Sequence, residues 1–195
     1  MIPSKLIRAG ESGFSLLELV AVSAIVLTLL ALSVPAFISL KRGLDLGATA
    51  SQVRSELEIA RSAACAQNRA LEVRFYVASD NAEEIRGLQI FVVAEDGKEP
   101  SAFRKIVRFP ETVSASESTQ YTTLLSYCGP LSHDDGGDFR AFRFLPNGTT
   151  DFPSSASITL TFVLSPDRAR IDSLAPNYAT IQIDPQNGAS RIFRP

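Results

Sequence analysis

The chain has 195 residues, a formal net charge of −2, and 45% hydrophobic and 21% charged residues. That length suits one ordinary domain with an appendage, the charged fraction excludes a disordered chain, and 2 cysteines exclude a disulfide-dense mini-protein. One histidine and no tryptophan leave little material for histidine-based catalysis or a multi-histidine metal site, and a pI near 5.5 argues against a chain built to coat nucleic acid.

The first predicted element is an apolar run from Phe14 to Leu40 that holds a single charge, Glu18. As a helix it would rise roughly 40 Å. That exceeds the ~30 Å hydrocarbon core of a bilayer, so the run is long enough to span one. A polar leader with Lys5 and Arg8 precedes it, and Lys41 and Arg42 follow. Basic residues at both ends leave the orientation open. A secretory signal peptide cut near Ala31-Leu32-Ser33 would need a shorter run. An ordinary anchor helix accounts for the length but not for Glu18. A carboxylate in such a helix costs about 2.5–3.5 kcal/mol at mid-membrane. No Lys or Arg follows Glu18 before Lys41, so its partner must be another chain, a new terminus or the interface.

Gly13-Phe14-Ser15-Leu16-Leu17-Glu18-Leu19 resembles the processing site of type IV prepilins and of the pseudopilins of type II secretion. The resemblance implies a leader, residues 1–13, cut after Gly13 by a prepilin peptidase, and N-methylation of Phe14. It implies that Glu18 pairs with the new α-ammonium of a neighbouring subunit, and that Pro35 stands where the family commonly kinks its helix. It also implies a cytoplasmic leader and a periplasmic head on a single pass through the bacterial inner membrane.

Beyond Leu40 the helical pattern continues to about residue 70. Val53, Leu57, Ala60 and Ala64 form one core-facing stripe, Arg54, Glu56, Glu58 and Arg61 read as solvated surface, and Gly43 and Gly47 predict a break or bend. From Leu71 the pattern turns to β. Runs at Leu71–Ala78, Gly87–Ala94, Lys105–Phe109, Phe139–Leu145, Ser157–Leu164, Ala179–Ile183 and Ser190–Phe193 are separated by turn signals such as Asp96-Gly97 and Pro146-Asn147-Gly148. The Ser/Thr-rich stretch Thr112–Thr123 reads as a surface loop. The expected fold class is α+β: a long N-terminal transmembrane and amphipathic helix, then a β-rich antiparallel head. The expected segments are a leader 1–13, a transmembrane and assembly helix 14–40, an amphipathic half 41–70 and a periplasmic head 71–195.

Ala60-Arg61-Ser62-Ala63-Ala64 with Asn68, and Phe144-Leu145-Pro146-Asn147-Gly148-Thr149, resemble the GspH/FimT type of minor pseudopilin, whose pilin-like fold is of this class. The resemblance implies a structural subunit of a type II secretion pseudopilus or of a type IV pilus, with other pilins, prepilin peptidase and the membrane as partners. Two alternatives stand beside it: a FimT-like minor pilin that binds DNA in natural transformation, and a plain membrane-anchored binding domain.

Cys65 and Cys128 fit a disulfide in an oxidising compartment and fit two separate thiols. His133-Asp134-Asp135-Gly136-Gly137-Asp138 concentrates oxygen ligands as a calcium loop does, but its spacing matches no EF-hand, and no metal or cofactor is expected. With one histidine and no nucleophile-elbow motif, no catalytic residues are expected. Asp167-Arg168-Ala169-Arg170 resembles the Gly-Arg-x-Arg motif of DNA-uptake pilins with Asp in place of Gly. Arg168, Arg170, Arg191 and Arg194 are therefore the candidate phosphate contacts.

Overall fold

The computed structural model describes residues 15–78, 81–93 and 99–195, without the side chains of 32, 35, 36 and 81–83. The chain divides into two compact units, Met1–Leu40 and Lys41–Pro195.

Helix α1, Leu16–Gln67, runs through both units. In the first unit its apolar side chains are exposed on every face: Leu16, Leu17, Val20, Ile25, Leu27, Leu30 and Phe37 are all at least half open. The hydroxyls there bond within the helix, Ser23 to the Leu19 carbonyl at 2.7 Å, Thr28 to Ala24 at 2.8 Å and Ser33 to Leu29 at 2.8 Å. Gly43 and Gly47 lie inside the continuous helix, so the expected break does not occur there.

In the second unit α1 buries Leu46, Ala50, Val53, Leu57, Ala60 and Ala64, a stripe at helical spacing that includes the expected residues. The helix ends at Gln67, and Asn68 follows with a positive φ of 49°, a helix-terminating conformation that asparagine tolerates.

The head has two antiparallel sheets. In the first sheet, β1 (Leu71–Ala78) pairs on one side with β2 (Asn81–Val92) and on the other with β7 (Gly137–Phe144). The short strands β3 (Ser101–Ala102) and β4 (Val107–Arg108) pair with β2, and β6 (Ser132–Asp134) pairs with β7. The second sheet has the order β10-β9-β8-β5, from β5 (Val113–Ala115), β8 (Ile158–Leu164), β9 (Tyr178–Ile183) and β10 (Ser190–Phe193). One turn of helix, α2 (Leu124–Tyr127), lies between β5 and β6.

The period-2 pattern of β1 sends Leu71, Val73 and Phe75 into the core against Ile90 and Leu88 of β2 and Phe142 and Phe144 of β7. Phe142 stacks on Phe152 with centroids 4.6 Å apart and meets Phe144 edge-on at 5.2 Å. These rings, the α1 stripe and Leu160, Phe162, Ile181 and Ile183 of the second sheet belong to one apolar core.

Three expectations need correction. The run expected at Lys105–Phe109 is a strand only over Val107–Arg108. Thr112–Thr123 is not a surface loop. It contains β5, and Ser114, Ser116, Ser118 and Thr122 are buried with their hydroxyls in hydrogen bonds, Thr122 Oγ1 accepting from the Thr161 N–H at 3.3 Å. His133–Asp138, read as a glycine-rich loop, is instead the β6–β7 hairpin, closed by the two residues Asp135-Gly136. The Asp96-Gly97 turn lies outside the described residues.

Candidate functional site

Gly13 and Phe14 lie outside the described residues. Glu18 stands in the first turn of α1, exposed, with its N–H donating to Ser15 Oγ at 3.1 Å. Among the described residues its carboxylate has no ion-pair partner, and its neighbours Leu16, Leu17 and Leu19 are exposed leucines. Pro35 falls within α1, and its side chain lies outside the description. Among the described residues no helix is long and apolar enough to cross a membrane; the described apolar stretch is interrupted at 32, 35 and 36.

The head's main cluster of charge sits on the outer face of the first sheet, where alternation on β1 places Glu72, Arg74 and Tyr76. All three are less than a tenth exposed although they point away from the core. The Arg74 guanidinium lies between two rings, 3.9 Å from the Phe91 centroid and 4.3 Å from that of Phe139. Its Nε donates to Glu72 Oε1 at 2.8 Å and its Nη1 to Asp134 Oδ2 at 2.7 Å. Arg143 closes the other side, donating through Nε at 3.0 Å and Nη2 at 2.9 Å to Glu72 Oε2.

Tyr76 OH donates to Asp134 Oδ2 at 2.8 Å, and the Gly136 N–H donates to Asp134 Oδ1 at 2.7 Å. A Cβ on Gly136 would stand 2.6 Å from Tyr76 Cε1, so only glycine lets the hairpin turn lie on that ring. The carboxylate that suggested a calcium ligand is thus bound by an arginine, a phenol and a backbone amide. Burial raises the Asp134 pKa, but the Tyr76, Arg74 and Gly136 hydrogen bonds outweigh it and hold the carboxyl below its usual range. Burial and the Asp134 carboxylate push the Tyr76 phenol well above its ordinary value. The cluster floors an open depression of about 530 Å³ rimmed by Gln89, Glu99, His133 and Asp135. Within the cluster Arg74 and Arg143 balance Glu72 and Asp134, and both carboxylates are fully engaged by these donors, Tyr76 and Gly136. The cluster therefore fastens the β6–β7 hairpin to the sheet.

Helix charges expected to be solvated also have partners. Glu56 is buried and pairs with Arg104 at 3.1 Å. Arg54, Glu58 and Arg61 all bond to the C-terminal hairpin.

The four candidate phosphate-contact arginines do not converge as free cations. Arg168 pairs with the buried Glu84 and with Glu117, Arg170 with Asp167 at 3.0 Å, and Arg194 donates to the Gly47 carbonyl at 2.9 Å. Arg191 is exposed beside Gln182 and Ser154. The cysteines are separate thiols. Cys65 is exposed, whereas Cys128 is buried and its thiol is pushed up to about 12 by burial and the nearby Asp151.

The sequence reading missed the Glu72–Arg74–Tyr76 set. Its signal was the strict alternation of LEVRFYVA, in which every polar residue falls on one face of the strand.

No protein-family model matches the sequence, and no curated protein matches it. Among solved structures the chain is similar to the minor pseudopilin EpsH from the type 2 secretion system of Vibrio cholerae, at 12% identity over 77% of this chain and 98% of that one, with a TM-score of 0.49. It is also similar to the type IV minor pilin FimU of Pseudomonas aeruginosa in two crystal forms. Identity is 19% in both, over 77% of this chain and 87% or 97% of that one, with TM-scores of 0.44 and 0.45. All three scores are under one half, and the functional reading of this chain rests on its own residues.

Proposed function

We propose that this chain is a minor pilin-like subunit of the GspH/FimT type, assembled into the pseudopilus of a type II secretion system or into a type IV pilus. A prepilin peptidase cuts it after Gly13, Phe14 is methylated, and residues 14–40 anchor it in the inner membrane with the head periplasmic. Other pilins join it through the helix. Its work is mechanical rather than catalytic.

The observation that carries this reading is the register of Gly13, Phe14 and Glu18 at the head of an apolar helix. Apolar side chains exposed on all faces of a helix require an apolar surrounding, a bilayer or neighbouring helices. The hydroxyls of Ser23, Thr28 and Ser33 suit that surrounding, because their protons are already placed on helix carbonyls. Glu18 is the exception. A free α-ammonium at Phe14 of an adjacent subunit would neutralise it, two opposite charges removed from water together.

Peptide mass spectrometry of the membrane-extracted protein from its own host tests the reading. A mature N-terminus at Phe14, heavier by one methyl group, is the expected result. An intact leader would leave a plain membrane-anchored domain, and a start near Val34 a secreted protein; either would end the filament reading.

A further inference from the structure

Two stripes run side by side along the second half of α1. The apolar stripe is Leu46, Ala50, Val53, Leu57 and Ala60, all buried. One residue on from each stand Gly47, Ser51, Arg54, Glu58 and Arg61, repeating the same alternating steps of four and three residues. This second stripe meets the C-terminal hairpin along its length. Glu58 Oε1 accepts from Ser190 N at 3.0 Å and from Ser190 Oγ at 2.9 Å. Arg54 Nε donates to the Ser190 carbonyl at 3.2 Å, and Arg61 Nε to the Asn187 carbonyl at 2.6 Å. At the far end Arg194 Nη2 donates to the Gly47 carbonyl at 2.9 Å. A Cβ on Gly47 would stand 3.0 Å from Arg194 Nη1, so the guanidinium lies close against the helix backbone there.

Ser190 faces Ile183 of β9 in register, yet its own N–H and C=O turn the other way, toward the helix. Alternate residues of an antiparallel strand present their backbone groups outward in this manner. On an edge strand those groups are left for water or for a foreign strand. Here two side chains one helical turn apart fill the places of a neighbouring strand's carbonyl and amide. The apolar hold on β10 is small, because Ile192 is only partly buried and Arg191 and Phe193 are exposed. Besides its ladder with β9, the strand is therefore held chiefly by the polar stripe.

We propose that β10 is a separately releasable latch: the polar stripe of α1 acts as a surrogate edge strand that holds it shut, and breaking the stripe frees the segment from Ser190 onward while β8 and β9 stay folded.

Hydrogen exchange on the full chain in detergent micelles tests this. Glu58→Ala should speed exchange of the Ser190 amide, and of the Arg191 and Phe193 amides that face β9, about tenfold. The amides that β8 and β9 share should keep their wild-type rates. Glu58→Gln, whose Oε1 still accepts, should remain close to wild type. Trypsin cleavage after Arg191 should rise in parallel in Glu58→Ala, and to a smaller degree in Arg54→Ala. Unchanged exchange at Ser190 in Glu58→Ala would overturn the latch. So would loss of protection across β8 and β9 as well, which would make the stripe part of general stability. Equal exposure in Glu58→Gln and Glu58→Ala would overturn the role given to the hydrogen bonds.

Discussion

The two stretches of α1 share a backbone and differ in everything their side chains ask of the surroundings. Up to Leu40 the helix is apolar on all faces, its few hydroxyls are bonded to its own carbonyls, and its one carboxylate has no partner among the described residues. From Leu46 onward an apolar stripe is sunk in a core and a polar stripe beside it holds a strand. The first stretch buries no side chain in a core among the described residues, and on the proposed reading its partners are other chains or a bilayer. The second has its partners within the same chain. A single helix thus carries two side-chain patterns, and residue pattern, not helix propensity, separates them.

The sharpest way to break that contrast is Glu18→Ala. The variant should still be cut at Gly13 and inserted, but it should be absent from filaments and fail to co-purify with other pilins. Normal incorporation would remove the charge-pairing role. On the head side, Leu57→Ala opens a hole under the apolar stripe and should cost about 2–5 kcal/mol, read from urea unfolding of the full chain in micelles.

Smaller is the effect expected of Asp134→Asn, about 1–3 kcal/mol, because Arg74 keeps Glu72 while losing its second carboxylate. This residue also sets a pH dependence. Its folded pKa lies below the unfolded one, so its stabilisation is whole above the unfolded carboxylate value and disappears as pH falls through the folded value. Wild type should lose stability in that acid window, and Asp134→Asn should lose less; equal acid sensitivity would contradict the assignment. Smallest is Arg170→Ala. Its half-exposed pair with Asp167 should contribute under about 1 kcal/mol. A salt-sensitive gel shift of the full chain that weakens in this variant would revive the nucleic-acid alternative.

Much of the fold was legible because its signals are local. The α1 stripe, β1, β8, β9 and β10 follow from spacing and alternation that a window of ten residues contains. What escaped depends on partners far along the chain. Ser114 and Thr122 look like loop residues until their partners arrive, the Glu84 carboxylate of β2 for one hydroxyl and the Thr161 N–H of β8 for the other; a bonded hydroxyl buries at little cost. Arg54 and Glu58 look solvated until Ser190, more than a hundred residues later, lies beside them. The Asp135-Gly136 pair, by contrast, was a recognisable two-residue hairpin signal that the abundance of carboxylates obscured.

The way Tyr76 is held has an optical consequence. The chain contains no tryptophan and only 4 tyrosines, so its near-ultraviolet signals come from few chromophores. Tyr76 is the buried one, fixed edge-on to Phe139 at 6.0 Å and hydrogen-bonded to a carboxylate. A fixed, asymmetric setting of that kind gives a phenol a strong near-ultraviolet circular dichroism band, whereas freely turning surface phenols give little. Loss of that band while the far-ultraviolet spectrum persists would report release of the β6–β7 hairpin from the sheet, with no label attached to the protein.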